Sequence, residues 1–326
     1  GTEFIAEAGF NWFPETLWLT ARTGSNPSLD NVRTTNNWMR RFDVLDWTLI
    51  VRYVLSFLCV VLAYNAISGE LETGTLRLVL ANPMARAAFL IGKFLAHLTT
   101  LSVSVLLGSL ISLAMLTLAG QLELDWDLWR SYLLFLLAAT MLAALFLLLS
   151  MGVSALARNS ATSLVFLVTA WTVLVVIVPQ ASYLIATQTA SVSVSWDDMN
   201  RLRDEAYAAM QRDGAIPRSR ELAATDGYAA EQRFIRRARE IDEQVSQIWV
   251  QMERERVGQF RAAMAVNLLS PGYAFQYTIE ALLGSGIQKV ENFRNNGLRY
   301  REHLRDFLRA RDQADADSPH IDFLPE

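Results

Sequence analysis

Few side chains in this sequence are equipped for chemistry, and they are scattered. There are three histidines, His97, His303 and His320, and one cysteine, Cys59. A single thiol makes neither an internal disulfide nor a zinc site. Cys59 lies inside an apolar run and reads as a small apolar side chain. His97 falls about one turn into another apolar run that holds no Asp or Glu. With no acidic partner for a proton relay, it reads as a packed or interfacial residue. Gly92-Lys93-Phe94 lacks the upstream glycine and the hydroxyl of a phosphate-binding loop, and no H-E-x-x-H, C-x-x-C or G-x-S-x-G pattern occurs. The chain is therefore read as no enzyme by itself, without a metal or cofactor of its own. What remains is one polar segment, residues 66–86, set between apolar runs.

Those runs dominate the composition. Of 326 residues, 52% are hydrophobic and 19% charged, where soluble globular chains carry about 25% charged residues. A helix needs about 20 apolar residues to cross the hydrocarbon, and four stretches qualify: about 47–67, 94–119, 131–157 and 161–186. Arg52 sits near one end of the first and is expected to snorkel to the interface. Trp47, Trp126 and Trp129 stand at span ends as interfacial aromatics do. Pro179 is tolerated in such a helix and is expected to kink it. The fold class is all-α, a polytopic membrane helix bundle.

Charge in the short loops orients it. Ser68–Lys93 holds Arg77, Arg86 and Lys93 against Glu70 and Glu72. The turn Arg158-Asn159-Ser160 holds one arginine, whereas Gln121–Arg130 holds Glu123, Asp125 and Asp127 against Arg130. The positive-inside rule puts the first two in the cytoplasm and residues 1–46 and 190–326 outside it. Residues 1–46 read as an irregular loop with one short helix. Residues 190–326 read as a helical extracytoplasmic domain. Phe234, Ala238, Ile241, Val245, Ile248 and Met252 recur at alternating spacings of four and three, an a/d seam. Leu202, Ala206 and Met210 form a shorter stripe on the preceding helix, and the two helices are expected to pack antiparallel. Arg233, Arg236, Arg237 and Arg239 are surrounded by acids and read as a solvated face. Ser270-Pro271 breaks the helix. A helix Tyr273–Leu283, a turn at Gly284-Ser285-Gly286 and a last amphipathic helix Ile287–Ala310 come after it. The net charge of −4 gives no reason to expect nucleic acid.

In the polar segment, an apolar span ends at Gly69, two acids and a Gly-Thr come next, and Leu71, Leu76, Val79 and Leu80 share one side of a short helix that Pro83 stops. Such an element lies across the membrane face, either as a plain interfacial helix or as one that presses on a cytoplasmic partner. Composition does not choose between these. The residues themselves, Gly69-Glu70-x-Glu72-x-Gly74-Thr75-Leu76-Arg77, then Asn82-Pro83-x-x-Arg86 and Gly92-Lys93-Phe94, resemble the signature of type-2 ABC transporter permeases. Leu71 and Ala85 depart from a usual basic residue and a usual serine. Ser270-Pro271, Phe275, Gly284-x-Gly286 and Leu324-Pro325 resemble the branch with a large extracytoplasmic insertion before the last span.

The resemblance implies that residues 68–86 form a coupling helix docking on a separate ATPase, with Gly69, Glu70, Glu72, Gly74, Thr75, Leu76, Arg77, Asn82, Pro83 and Arg86 as its ATPase-coupling residues. It implies six spans, one before residue 1 and one after residue 326, in a bacterial cytoplasmic membrane. Implied partners are an ABC ATPase dimer that binds ATP and Mg, a second permease, the lipid bilayer and an extracytoplasmic accessory protein. Three functions compete: a transport permease; a membrane scaffold whose outer domain binds a partner for mechanical signalling; and a membrane-embedded enzyme, which has no acid–base constellation behind it.

Overall fold

A computed structural model describes residues 16–18, 28–30, 46–75, 85–120, 124–189, 193 and 196–212, scattered positions between 237 and 252, and residues 254–284 and 287–314. It is an all-α membrane helix bundle. Among the described residues four helices are long and apolar enough to cross a membrane: span 1 (Trp47–Glu72), span 2 (Arg86–Leu118), span 3 (Trp126–Leu156) and span 4 (Ser160–Thr189). Span 2 begins at Arg86, well before the apolar window that announces it. Carboxylate and amide caps start three of them. Leu49 N donates to Asp46 Oδ1 (2.7 Å), Leu128 N to Asp125 Oδ1 (2.8 Å) and Thr162 N to Asn159 Oδ1 (2.8 Å). Each satisfies one of the orphan donors of a helix start.

The chain groups into two compact units. One comprises 1–12, 38–185 and 263–289, the other 13–37, 186–262 and 290–326. In the first, span 3 carries the core. Tyr132, Phe135, Ala139, Leu142, Ala143, Phe146, Leu147 and Met151 are buried along one side at helical spacing, facing Val51, Leu55, Cys59, Ala63 and Ala66 of span 1. The alanines at 63, 139 and 143 let the two backbones come close, as small residues do between membrane helices. The Cys59 thiol lies 3.7 Å from the Ala143 carbonyl, fully buried. Between spans 2 and 3 the Ser109 and Tyr132 hydroxyls meet at 2.8 Å.

The helix Pro271–Leu282 also belongs to this core. Proline opens it at a position where no backbone donor is needed, and Phe275 and Ile279 join the buried cluster of spans 1 and 3. It packs on spans 1, 3 and 4, and where it meets spans 1 and 4 it lies against their π-helical stretches, Ile50–Leu55 and Thr172–Ile177. The second stretch has a local cause. Pro179 has no backbone N–H to give its turn, and the Val178 N–H reaches five residues back to the Val173 carbonyl. The proline thus widens the turn before it. Span 4 continues helically beyond it.

Arg52 departs from its expected place. It does not snorkel out; only 8% of it is exposed. Its Nη1 donates to Gln276 Oε1, its Nη2 to the Tyr53 hydroxyl at 2.8 Å, and its guanidinium stacks on the Tyr53 and Tyr273 rings at 4.4 and 4.2 Å. Gln276 in turn donates to Glu280 at 2.7 Å. A charge withdrawn from water needs such partners. Trp47 departs as well: it sits against Phe135 in the bundle, whereas Trp126 is 79% exposed.

In the second unit, the strands Thr16–Trp18 and Ser28–Asp30 pair antiparallel, Leu17 opposite Leu29, where the sequence suggested one short helix. The helix Trp196–Arg212 is largely solvated. Of the heptad seam, Ile241 and Met252 are buried and Ile248 is half-buried, while Phe234, Ala238 and Val245 lie outside the described residues. Arg237 pairs with Glu240 on an exposed face. Arg233, Arg236 and Arg239 are outside the described residues. Glu255 takes the Ser193 N–H and hydroxyl, both at 2.7 Å, and the Gln251 amide at 3.0 Å. Its carboxyl is held below the usual range, first by the Ser193 backbone and then by Gln251.

Gly272 makes the Arg52 arrangement possible. A Cβ there would stand 2.7 Å from Arg52 Cγ. Gly272→Ala is therefore expected to lower stability by about 1–3 kcal/mol through overpacking. In an Arg52→Ala background, where the obstacle is gone, the same substitution should cost almost nothing. Thermal unfolding of the four purified proteins in one detergent checks this; equal costs in both backgrounds would show that the two residues are not in contact.

Candidate functional site

The polar segment singled out in the sequence lies at the end of the bundle where span 1 finishes and spans 2 and 4 begin. Span 1 does not run straight into it. The helix stops at Ala63, turns through Tyr64–Ile67 and resumes at Ser68–Glu72. No proline or glycine lies within Tyr64–Ile67. The break is made by groups that arrive from the other spans.

The hydrogen bonds account for it. Ile67 N and Ser68 N both donate to Ser154 Oγ of span 3, at 3.1 and 3.0 Å. Those two bonds fill the acceptor capacity of that hydroxyl, so its own hydrogen goes to Ser68 Oγ, 3.1 Å away. Ser68 Oγ then donates to the Tyr64 carbonyl at 3.1 Å, which also receives Ser163 Oγ of span 4 at 2.6 Å. Lys93 of span 2 donates to the Ala66 carbonyl at 2.6 Å. Two amides and two carbonyls at the break are thus answered by side chains of all three other spans. In apolar surroundings each would otherwise cost several kcal/mol.

Beyond the break the two acids of the segment point back to the bundle. Glu70 Oε1 pairs with Lys93 Nζ at 2.9 Å, and Thr75 donates its hydroxyl to Glu70 Oε2. Lys93 also lies 4.8 Å above the Phe89 ring. Glu72 Oε2 accepts both the backbone N–H of Ser160 (3.1 Å) and its hydroxyl (2.8 Å). Ser160 is the first residue of span 4, so Glu72 sits at the positive end of that helix. Thr73 Oγ1 donates to the Gly69 carbonyl at 2.9 Å and also meets Thr75 Oγ1 at 2.9 Å. Gly74 has φ +75°, a conformation that a side chain makes costly, so glycine is required there for the chain to turn off the helix.

Gly69, Glu70, Glu72, Gly74 and Thr75 are therefore brought together. Arg86 is exposed at the start of span 2. Leu76, Arg77, Asn82 and Pro83 lie outside the described residues. Leu71 is 48% exposed beside the anchored acids. Lys93, Ser154, Ser160 and Ser163 were not among the expected site residues. The signal for Ser154 is its spacing of four from Ser150 on an otherwise apolar helix. The signal for Lys93 is that it is one of two lysines in a chain that otherwise uses arginine. Among the described residues no cluster of His, Cys, Asp and Glu is arranged to hold a metal.

Residues 11–294 match the family described as "ABC-2 family transporter protein". A stretch of 99 residues is 35% identical to the probable ABC transporter permease protein NosY of Stutzerimonas stutzeri, covering 30% of this chain and 36% of that protein. A stretch of 81 residues is 38% identical to the protein of the same name from Pseudomonas aeruginosa, covering 24% of this chain and 30% of that one. The chain thus aligns with only about a third of the length of each of these relatives.

The serine accounting is testable. Ser154→Ala leaves two amides without their acceptor and should cost roughly 2–6 kcal/mol, about 1–3 for each. Ser150→Ala is the matched control, because the buried Ser150 hydroxyl has no hydrogen-bond partner among the described residues and should lose little. Thermal unfolding in detergent compares the two; a Ser150→Ala loss as large as that of Ser154→Ala would remove the special role given to Ser154.

Proposed function

The chain belongs to the ABC-2 family of transporter proteins, and from that premise we propose that it is the permease subunit of an ATP-driven transporter, coupled to a separate ATPase through residues 68–86. The observation that carries this reading is the segment itself. It is a short helix and turn at the end of the bundle, anchored to spans 2, 3 and 4, with Leu71 left exposed. A partner pressing on such an element acts on all the helices at once. The similarity to proteins named as ABC transporter permeases supports the same reading.

The ATPase subunits supply the chemistry, with ATP and Mg held there and not by this chain. A second permease, a copy of this chain or a similar one, completes the path for cargo. Spans 2 and 4 leave much apolar surface open, Leu107, Ile111, Met115, Val165 and Phe166 among it, which suits lipid and a second permease. The family and its bacterial relatives support a bacterial cytoplasmic membrane, and the charge bias of the loops supports residues 68–86 inside and residues 1–46 and the region from 190 onward outside.

The test is co-purification. The full chain, tagged and extracted from its native membrane in a mild detergent, should bring down an ABC ATPase subunit in near-equal amount, and the complex should hydrolyse ATP. Recovery without any nucleotide-binding subunit, in several detergents, would sink the proposal. Arg77→Glu, which reverses a charge that the family resemblance assigns to docking, should lower the amount of ATPase retained while membrane insertion is unchanged.

A further inference from the structure

We infer that Glu70 and Glu72 are not docking contacts but positioning residues, and that Lys93 and Ser160 are their working partners. Together they form a two-point clamp that fixes the coupling segment to the bases of spans 2 and 4. This rests on the coupling role proposed above and divides its residues into two kinds.

The argument is one of occupied atoms. Glu70 has both oxygens engaged within this chain, Oε1 by Lys93 and Oε2 by Thr75. Glu72 engages two donors of Ser160. A partner protein that took the Glu70 carboxylate would compete with bonds on both of its oxygens, whereas Glu72 is tied to span 4 through Oε2 alone. The partners are also far along the chain, 23 residues for Glu70–Lys93 and 88 for Glu72–Ser160, so the bonds join separate spans and do not merely stiffen one turn. Lys93 carries a second duty. The same ammonium that pairs with Glu70 holds the Ala66 carbonyl at the break in span 1. Any shift of the segment is therefore felt at the base of span 2, at the break of span 1 and at the first turn of span 4. Among the described residues the segment also exposes Leu71, an apolar side chain open to a partner.

The experiment separates binding from stimulation. The complex is purified with its native ATPase and placed in lipid nanodiscs. ATPase subunit retained, and ATPase rate relative to the free subunit, are measured for wild type, Glu70→Lys, Lys93→Glu and the double swap. The single variants should keep the ATPase bound but lose stimulation by about fivefold to tenfold, the size expected for a coupled pair. The swap restores the ion pair but not the Lys93 bond to the Ala66 carbonyl, so it should recover part of the loss, at least about twofold over Lys93→Glu alone. A second arm leaves charge untouched. Ser160→Pro removes both donors to Glu72, yet proline suits the first helical position. Asn159, at φ −148° and ψ 162°, already has the extended backbone that a proline after it requires. It should lose stimulation with the ATPase retained, and Ser160→Ala, which keeps the N–H, should lose less. Release of the ATPase by the single charge variants would make Glu70 a docking contact and overturn the clamp. So would a swap no better than Lys93→Glu alone, or unchanged stimulation in Ser160→Pro. Wild-type complex that never contains an ATPase would instead defeat the underlying proposal.

Discussion

A backbone amide or carbonyl left alone in an apolar setting costs more than almost any single contact returns. Span 1 breaks at Tyr64–Ile67, and that cost falls on two amides and two carbonyls there. The answer is distributed. Ser154 comes from one helix, Ser163 from another and Lys93 from a third. The rest of that end of the bundle depends on this arrangement. The short helix Ser68–Glu72 can leave the axis of span 1 only because its first amides have acceptors elsewhere, and its acids then reach Lys93 and Ser160.

The spans were legible because hydrocarbon demands long apolar runs, and Phe94–Ala119 or Ser131–Ala157 leave no competing interpretation. Helix starts were not read: Asp125 and Asn159, placed in loops by their polarity, cap the first turns of spans 3 and 4. The acidic segment was legible as a unit because Gly69, Glu70, Glu72, Gly74 and Thr75 are nearly contiguous. Its partners were not. Ser154 and Ser160 lie more than eighty residues away from the groups they bind, and a serine in an apolar helix usually bonds its own preceding turn, as Thr100 and Ser104 do here. Arg52 shows the opposite failure. Its position near a span end suggests snorkelling, and nothing local reveals that Gln276 and Tyr273 supply a better environment. The strand pair Thr16–Trp18 and Ser28–Asp30 was missed because each strand is three residues long and shows no alternation to detect.

The helix Pro271–Leu282 links two irregularities that look unrelated in sequence. The π-helical stretches of spans 1 and 4 are the parts of those spans it packs on. Pro179 accounts for one; the other has no such residue. Widened turns often accompany function. Here they accompany a helix seated against the bundle with Phe275 and Ile279 buried. Residues 263–289 therefore share a core with the spans, while Glu255, Ser193 and Met252 pack in the other unit.

The Arg52–Gln276 bond joins residues 224 positions apart, and this has a consequence for biosynthesis. At about 5–20 residues per second, Arg52 leaves the ribosome roughly 10–45 s before Gln276 exists. During that interval Arg52 has no Gln276 to bond, and a cation near a span end can keep its water by snorkelling. The buried arginine belongs to the finished fold. Pro271–Leu282 is made after all four described spans, and its packing is what fixes Arg52 of span 1 in place.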